Sequence, residues 1–383
     1  MIGLLAYLPT TVFGEHYLYL IFFAVVAFRE RKSIAQDFMG MFEKDRTIRM
    51  TYTAFLMLVI LALSLLNNAF NVSMMSSEKD LIPYMMLMTI TMYFSKFIRK
   101  RDAWIITSLV AIEVLVGAYE FAIGVNTIFT ELENFKDQSN ETLLYFRRVN
   151  GLSANSSGLA EKVFVSFLLL LGFDLYKKLY GKIILGLLFL GMVITFSRTG
   201  ILALIVLSTT VFFRSQSAEK RNSLHWMGSV FVIFIGLVAI AWVLYTYSEP
   251  IFNQFTRNKG EVELTGRGDI WANFTAFLID HPVMGNGSYK LWLGKYHAHN
   301  SFLETLVSQG SVIFGLFLIL IFRNIHSKNY WLLIPVLFYA MTQYIIFWGV
   351  SLFDLVFFHF LLHHDTMSTE TSWNLLKAKP GLE

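Results

Sequence analysis

Residues 297–322 read HAHNSFLETLVSQGSVIFGLFLILIF, and this stretch passes from a polar turn into a long apolar segment. A helix needs ~20 mostly apolar residues to cross the hydrocarbon core of a bilayer. Residues 299–322 meet that length, so we expect them to form a membrane-spanning helix. Its first turn would carry His299 and Asn300, and His297 would lie just before it. These three residues could form a catalytic centre, a metal site or only a polar boundary at the membrane.

Apolar runs of the same kind recur along the whole chain. Of its 383 residues, 55% are hydrophobic and only 15% are charged, whereas a soluble protein of this length needs more charge to cover its surface. We therefore predict an all-α polytopic integral membrane protein that forms a single membrane domain over residues 1–383. About 11 spans (roughly 10 to 12) are expected. They lie at 10–28, 50–67, 81–98, 103–123, 160–176, 180–196, 199–213, 225–247, 299–322, 329–347 and 350–363.

The basic residues of the short connecting segments predict the orientation of the chain. Under the positive-inside rule these segments face the cytoplasm, and they alternate along the chain as such a topology requires. They are residues 29–49, 99–102, 177–178, 214–221 and 323–328.

The extracytoplasmic side then receives two long loops, 124–159 and 248–298. Long loops of this kind usually carry function. Within the second loop, residues 268–282 (GDIWANFTAFLIDHP) have the periodicity of an amphipathic helix, with Asp269 as the expected N-cap. We expect this helix to lie flat at the membrane interface.

Composition excludes several classes of function. Cysteine is absent, which excludes disulfides, thiolate metal sites and cysteine nucleophiles. The formal net charge of +4 is too small to indicate a nucleic-acid partner. The chain has no HExxH motif, and a zinc site at the histidines would need a third ligand, so neither a metal nor another cofactor is expected.

Ionisable residues inside the predicted spans indicate function by default, because charge is costly in hydrocarbon. Glu113 falls near the middle of its span, Glu161 and Lys162 open another, and Asp354 lies in the last. Structural ion pairs or snorkelling side chains are the alternative for these four residues. Arg198 lies between two apolar runs and, being always ionised, needs an anionic partner or water.

Arginines on the outward side predict a site for phosphate. Arg147 and Arg148 lie in the first long loop, and Arg267 immediately precedes the amphipathic helix, whose free N–H groups favour an anion. Together with Arg198 they would bind a lipid-linked phosphate or diphosphate through planar, two-pronged donor sets. Unrelated contacts with lipid headgroups are the alternative.

The two histidines indicate acid–base chemistry beside these cations. A helix N-terminus disfavours imidazolium, so we expect His299 to stay neutral and able to accept a proton. Asn300 and Glu304 share one helical face, whereas His297 and His299 do not. This arrangement favours metal-free group transfer, in which a histidine deprotonates a hydroxyl and guanidinium groups stabilise a departing diphosphate.

Three segments, taken in order, resemble the O-antigen polymerase and ligase superfamily. They are FSRTGILAL (196–204), TGRGDIWANFTAFLIDHPVMGNGS (265–288) and HAHNSFLETLVSQGSVIFGLFL (297–318). A fourth segment, RRVNGLSANSSGLA (147–160), which contains Asn155, is similar to the family's arginine–glycine–asparagine element. It has Ala154 where the family usually has proline.

The resemblance implies a metal-independent glycosyltransferase of GT-C-like architecture in the bacterial cytoplasmic (inner) membrane, with its active site facing the periplasm. Such enzymes transfer a glycan from an undecaprenyl-diphosphate carrier to an acceptor hydroxyl. Arg198 and Arg267 would hold the donor diphosphate, and His299 would be the base. Asn300 would orient it, and His297 would be the reserve base. Membrane lipids, a flippase and a chain-length regulator are the further partners implied.

Three functions are compatible with these motifs. A polymerase, which uses another lipid-linked repeat unit as acceptor, is our expectation, because no extra C-terminal domain of the kind found in some protein-glycosylating relatives follows the spans. A ligase would use lipid A-core or another acceptor. A transporter of the same lipid-linked oligosaccharides would need internal repeats and broken helices, which the sequence lacks, although Glu113 near the bilayer centre would suit one.

Overall fold

The computed structural model describes residues 2–14, 18–40, 48–71, 84–125, 127–129, 148–218, 267–288, 290–294 and 296–363. The predicted span 225–247, Arg147 and most of both long loops lie outside these residues. The described residues form thirteen α-helices and no β-strand. The helices are α1 (Ile2–Tyr7), α2 (Leu18–Arg29), α3 (Arg31–Gly40), α4 (Ile48–Phe70), α5 (Tyr84–Phe94), α6 (Lys100–Ile123), α7 (Ser156–Gly172), α8 (Leu179–Ile194), α9 (Arg198–Ala218), α10 (Arg267–Asp280), α11 (Ser301–Asn324), α12 (Tyr330–Thr342) and α13 (Leu352–Leu362).

The all-helical prediction is confirmed for the described residues, and three of the helices among them are long and apolar enough to cross a membrane. These are α4 over Thr53–Phe70, α6 and α11. Helix α11 begins two residues after the predicted start of the span at 299. Four shorter apolar helices, α2, α8, α12 and α13, also coincide with predicted spans.

Two predicted spans were wrong in their boundaries because the backbone breaks inside them. The span predicted at 10–28 starts only at Leu18, and a separate short helix and a 3₁₀ turn containing Pro9 precede it. The span predicted at 329–347 ends at Thr342. Beyond that point the N–H groups of Phe347 and Trp348 donate to the Asp354 carboxylate, at 2.7 and 3.0 Å, instead of to helical carbonyls.

The helix ends gather into two groups. At one end, the N–H of Val12 donates to the Leu152 carbonyl (2.8 Å), the N–H of Val149 to the Ile194 carbonyl (3.4 Å), and the Ser301 hydroxyl to the carbonyl of residue 343 (3.2 Å). We call this the site end. It comprises residues 8–14, 148–155, 194–198, 297–301 and 343–351.

At the opposite end, Arg99 pairs with Glu30 (2.8 Å) and the Asn329 amide donates to the Phe360 carbonyl (3.1 Å). The predicted cytoplasmic segments 29–49, 99–102 and 323–328 therefore approach this end where the structure describes them. The described helices that flank each of these three segments run in opposite directions, as the positive-inside pattern predicts for cytoplasmic connections.

A buried ion pair lies at the centre of the helix packing. The Lys162 ammonium lies 2.6 Å from the Glu113 carboxylate, and the side chains are 5% and 0% exposed. Glu113 also accepts the Tyr7 hydroxyl (2.6 Å), the Ser153 hydroxyl (2.8 Å) and the Leu152 N–H (3.1 Å). Glu113 and Lys162 thus form the structural ion pair that the sequence left as an alternative.

Glu120, two turns further along α6, holds the neighbouring residues of the same segment. Its carboxylate accepts the N–H groups of Gly151 (2.9 Å) and Asn150 (3.2 Å). Gly151 has a φ of +58°, and a Cβ on it would lie 2.9 Å from the Glu113 Cγ. Only glycine therefore fits between the two carboxylates, which fix the segment that follows Arg148.

We predict that Lys162→Met lowers the free energy of unfolding by ~3–5 kcal/mol, because it leaves the Glu113 carboxylate buried without its counter-charge. Lys177→Met is the matched control, since Lys177 pairs with Asp174 on the surface, where the side chains are 62% and 53% exposed. Loss of that pair should cost at most ~1 kcal/mol. Equal stability of the two variants in a denaturation assay in detergent would contradict the structural role of the buried pair.

Candidate functional site

The histidine turn, residues 297–300, places its two imidazoles side by side. The ring centroids of His297 and His299 lie 3.9 Å apart. Helical spacing predicts that the His297 and His299 side chains point in different directions. They meet because the turn is not helical, since His299 has a φ of +50°, in the left-handed region. Strained backbone of this kind is common at functional sites.

Asn300 ends the turn and begins α11. Its side-chain oxygen accepts the N–H groups of Phe302 (2.9 Å) and Leu303 (3.1 Å), so Asn300 is the N-cap of the helix. The expected role of Asn300 in orienting His299 stays a prediction. The role that the structure gives this side chain is to fix where the turn stops and the helix starts.

The two histidines have different hydrogen-bonding environments. The backbone N–H of His299 donates to Nδ1 of His297 at 3.2 Å. Because Nδ1 accepts this bond, a neutral His297 carries its proton on Nε2 and can donate from that atom. The same Nδ1 lies 3.9 Å from a carboxylate oxygen of Glu304.

Glu304 connects the turn to the loop that precedes it. Its fully buried carboxylate accepts the N–H of Leu291 at 2.7 Å and the N–H of Ala298 at 2.8 Å. A buried carboxylate with two backbone donors is well satisfied. These two bonds hold both ends of residues 291–298 against the first turn of α11.

Lys290 is a site residue that the sequence analysis missed. Its ammonium lies over the rings of Trp292 (4.3 Å), Trp348 (4.7 Å) and Tyr344 (5.5 Å), and the residue is only 5% exposed. We call these three rings the aromatic cage. Burial lowers the pKa of Lys290 to about 8, and the negative charge of Glu304 partly opposes this shift. Two of the rings come from the loop after α12, so sequence spacing gives no sign of the cage.

The aromatic cage also contacts the histidine turn. The rings of Trp292 and Tyr344 lie 5.6 and 6.0 Å from the His297 ring, measured between centroids. Lys290 and His297 therefore share two aromatic neighbours. A cation, a carboxylate and two imidazoles lie together at the start of α11.

The loop at 282–287 packs into a break in α11. Gly310 is non-helical, with a φ of +78°. Backbone groups of α11 that lose their helical partners at this break form hydrogen bonds with the loop. The N–H of Ser311 donates to the Pro282 carbonyl (3.0 Å), and the Ser308 carbonyl accepts the N–H of Gly287 (2.8 Å). A Cβ on Gly310 would lie 1.9 Å from the Val283 carbonyl oxygen.

Helix α4 supports this loop from the other side. The Asn67 amide donates to the Met284 carbonyl at 2.7 Å, and the Asn68 amide to the Gly287 carbonyl at 3.0 Å. From the sequence we predicted only an apolar helix here. The signal for this role is the pair of amides at Asn67 and Asn68, inside a long apolar run.

Helix α10 covers the histidine turn. It starts at Arg267, so the prediction of Asp269 as N-cap was wrong, and Asp269 lies in the first turn of the helix. The Trp271 indole donates to the Ala298 carbonyl at 2.7 Å. The apolar face that we expected at the membrane interface packs against protein. It consists of Ile270, Phe274, Phe277 and Leu278, and it contacts a cluster of Leu291, Ala298, Val307, Leu293 and Leu303.

Two of the four predicted phosphate-binding arginines have described positions at the site end. Arg148 precedes Val149, whose N–H donates to the Ile194 carbonyl. Arg198, four residues after Ile194, is the first residue of α9. Both residues are partly exposed. Arg267 opens α10, but its side chain, like all of Arg147, lies outside the described residues.

Glu161 and Asn155 connect the arginine segments to the histidine turn. The Glu161 carboxylate accepts a hydrogen bond from the side chain of Gln343, the residue before Tyr344. Asn155 is the N-cap of α7 and accepts the N–H of Gly158 at 2.8 Å. The start of α7 thus lies against the loop that supplies part of the aromatic cage.

Across the described parts of the chain, no three histidine, aspartate or glutamate residues are grouped as metal ligands would be. The metal-free mechanism nevertheless stays a prediction.

Together these features define a helical membrane protein with a polar, histidine-containing site at one end of its helices. A family model described as O-antigen ligase matches residues 183–320, a range that includes α10, the 282–287 loop and the histidine turn. Over these residues the chain is similar to the O-antigen ligase and polymerase superfamily, which supports the resemblance seen in the sequence. Family and apolar helices together indicate a bacterial membrane protein. No curated protein and no solved structure matches the chain.

We predict that Gly310→Ala disrupts the docking of the 282–287 loop, because a Cβ would collide with the Val283 carbonyl and the positive φ disfavours alanine. Gly315→Ala is the control, since a Cβ at this position of the same helix meets nothing within 4 Å. It should be neutral or stabilising by ~0.5–1 kcal/mol. Thermal unfolding in detergent and limited proteolysis of the loop measure the difference. Unchanged stability and cleavage in Gly310→Ala would refute the docking role.

Proposed function

We propose that the protein is a metal-independent, inverting glycosyltransferase that polymerises undecaprenyl-diphosphate-linked oligosaccharide repeat units of a surface polysaccharide (O-antigen, capsule or exopolysaccharide). The observation that carries the proposal is the contact between the His297 and His299 rings at the same end of the helices as Arg148 and Arg198. This arrangement combines a proton acceptor with cations that suit a diphosphate.

In this mechanism His299 takes the proton from the acceptor hydroxyl. The oxygen of that hydroxyl bonds to the anomeric carbon of the donor while the bond from this carbon to the phosphate oxygen breaks. Undecaprenyl diphosphate leaves with the bonding electron pair, and Arg148, Arg198 and Arg267 stabilise its charge, with Arg147 as a further candidate. Attack opposite the leaving group inverts the anomeric configuration.

His299 is the preferred base because His297 already accepts a hydrogen bond at Nδ1 and carries its neutral proton on Nε2. His297 is then suited to donate a hydrogen bond to the substrate. The diphosphate is a good leaving group at the start, so the enzyme needs to supply mainly alignment and charge stabilisation.

The proposed architecture is a GT-C-like bundle of about 11 spans (roughly 10 to 12) in the cytoplasmic (inner) membrane, with the site end facing the periplasm. The gathering of basic segments at the opposite end supports this orientation. The donor and the acceptor would both be lipid-linked oligosaccharides, and a flippase and a chain-length regulator are the partners implied by the family.

A ligase that transfers the glycan to lipid A-core is the second candidate, and the description of the matching family favours it. Purified protein in liposomes with lipid-linked repeat units distinguishes the two. A ladder of lengthening products indicates a polymerase, whereas transfer only to added lipid A-core indicates a ligase. The transporter alternative loses its main support because Glu113 is held in an ion pair with Lys162. The break in α11 at Gly310, which the sequence did not indicate, is the feature that still suits a transporter.

We predict that His299→Ala lowers turnover in this assay by about 10²- to 10⁴-fold, the usual contribution of a general base, while donor binding is retained. His326→Ala is the matched control, because His326 follows the other end of α11 and should leave turnover unchanged. Normal elongation by the His297→Ala, His299→Ala double variant would show that the proposed mechanism is wrong.

We predict that Arg198→Ala and Arg148→Ala each weaken binding of the lipid-diphosphate donor by about 10- to 100-fold, because each removes a charged hydrogen-bond donor. Arg214→Ala provides the control. Arg214 lies on the same helix as Arg198, but its guanidinium lies 4.0 Å from the Trp331 ring near the start of α12. Arg257, a further arginine of the loop 248–298, lies outside the described residues and outside the segments that resemble the family, so its replacement should also matter little. Equal weakening by Arg214→Ala in a nanodisc binding assay would argue against a specific donor site.

A further inference from the structure

His297 lies near a buried anion and a buried cation. Its Nδ1 is 3.9 Å from the Glu304 carboxylate, and its ring shares the neighbours Trp292 and Tyr344 with the Lys290 ammonium. The chain also links the two charged groups, because the N–H of Leu291, the residue after Lys290, donates to Glu304.

The two charges have opposite effects on the histidines. A carboxylate within 4 Å favours imidazolium, and imidazolium cannot accept a proton from a hydroxyl. A nearby ammonium disfavours imidazolium. Both effects are strong at this position because buried charges are screened only weakly by salt.

We propose that Lys290 is a positioning residue that offsets the charge of Glu304 and thereby keeps the histidine pair in its neutral, proton-accepting form. The catalytic consequence rests on the proposed function, whereas the charge balance itself does not. The side chain of Lys290 is almost fully buried against the aromatic cage, so we expect it to act through the histidines.

The aromatic cage explains how a lysine can serve here. Three ring faces attract the ammonium and fix its position, which replaces part of the hydration that burial removes. The pKa of Lys290, lowered by burial to about 8, still lies above the usual pKa of histidine. The charge therefore persists at the pH at which a histidine base must be neutral.

Other titratable groups on the elements around the turn have their own interactions. The Tyr344 hydroxyl donates to the Phe347 carbonyl at 3.1 Å, and Asp354 accepts the N–H groups of Phe347 and Trp348. Glu161 on α7 is bonded to Gln343. Further titratable groups on these elements are Asp269 and Asp280 on the exposed side of α10, His281 directly after α10, and Tyr296 directly before the turn. Lys295 and the Arg267 side chain lie outside the described residues.

The test measures the protonation of the histidines directly. Diethyl pyrocarbonate modifies neutral imidazole, so its rate of reaction with His297 and His299, resolved by tandem mass spectrometry over a pH series, gives the midpoint of protonation. In Lys290→Met the midpoint should rise by about one pH unit, because Glu304 then acts without opposition. Lys290→Arg keeps the charge and should keep the wild-type midpoint.

Glu304→Gln should shift the midpoint in the opposite direction, to lower pH, and the Lys290→Met, Glu304→Gln double variant should return it towards the wild-type value. His326, at the far end of α11, is the internal control and should not change. If Lys290→Met does not fold, Lys290→Gln and Glu304→Gln make the same two measurements. Unmoved midpoints in folded charge-removing variants would overturn the proposal, since a purely structural lysine would produce that result.

The same variants separate this inference from the proposed function. The modification needs no substrate, so a shift in the midpoint supports the charge balance even if no glycan is transferred, and then only the proposed function fails. For an active protein, the acidic limb of the pH–rate profile should move with the midpoint in Lys290→Met. Glycan transfer with an unmoved limb and midpoint would contradict the inference and leave the proposed function intact.

Discussion

The Glu304 carboxylate accepts the N–H groups of Leu291 and Ala298, and the shape of the candidate site depends on these two bonds. They hold the loop before α11 against the first turn of the helix, where His297 and His299 meet. The same carboxylate has a caged lysine and an imidazole as neighbours. Because it is fully buried, its two bonds and its charge determine both the geometry and the electrostatics of the turn.

The Glu113 carboxylate holds the segment 148–155, which begins with Arg148, in the same way. Glu113 pairs with Lys162 and accepts the N–H of Leu152, which places the segment after Arg148 at the same end of the helices. In both places an acidic side chain from a helix binds the backbone of a connecting segment. Such segments have no helical partners for their own N–H groups, so a buried carboxylate is an effective anchor for them.

The sequence predicted the helical class, the position of α11 and the amphipathic helix, because each depends on a local apolar pattern. It also predicted His297, His299 and Arg198 as site candidates, and their catalytic roles stay predictions. It could not predict the contact between the two histidines, which depends on the left-handed backbone of His299. The cage around Lys290 was equally hidden, because Trp348 and Tyr344 lie more than 50 residues away along the chain. Local periodicity carries no information about either contact.

The proposed function requires the site end to bind a diphosphate-linked glycan with the anomeric carbon of its first sugar beside the histidine turn. A cryo-electron microscopy structure in nanodiscs with the undecaprenyl-diphosphate-linked oligosaccharide bound tests this requirement. We expect the diphosphate in contact with Arg198 and Arg148, and the first sugar within reach of the His299 imidazole. A diphosphate at the opposite end of the helices, or far from the histidine turn, would contradict it.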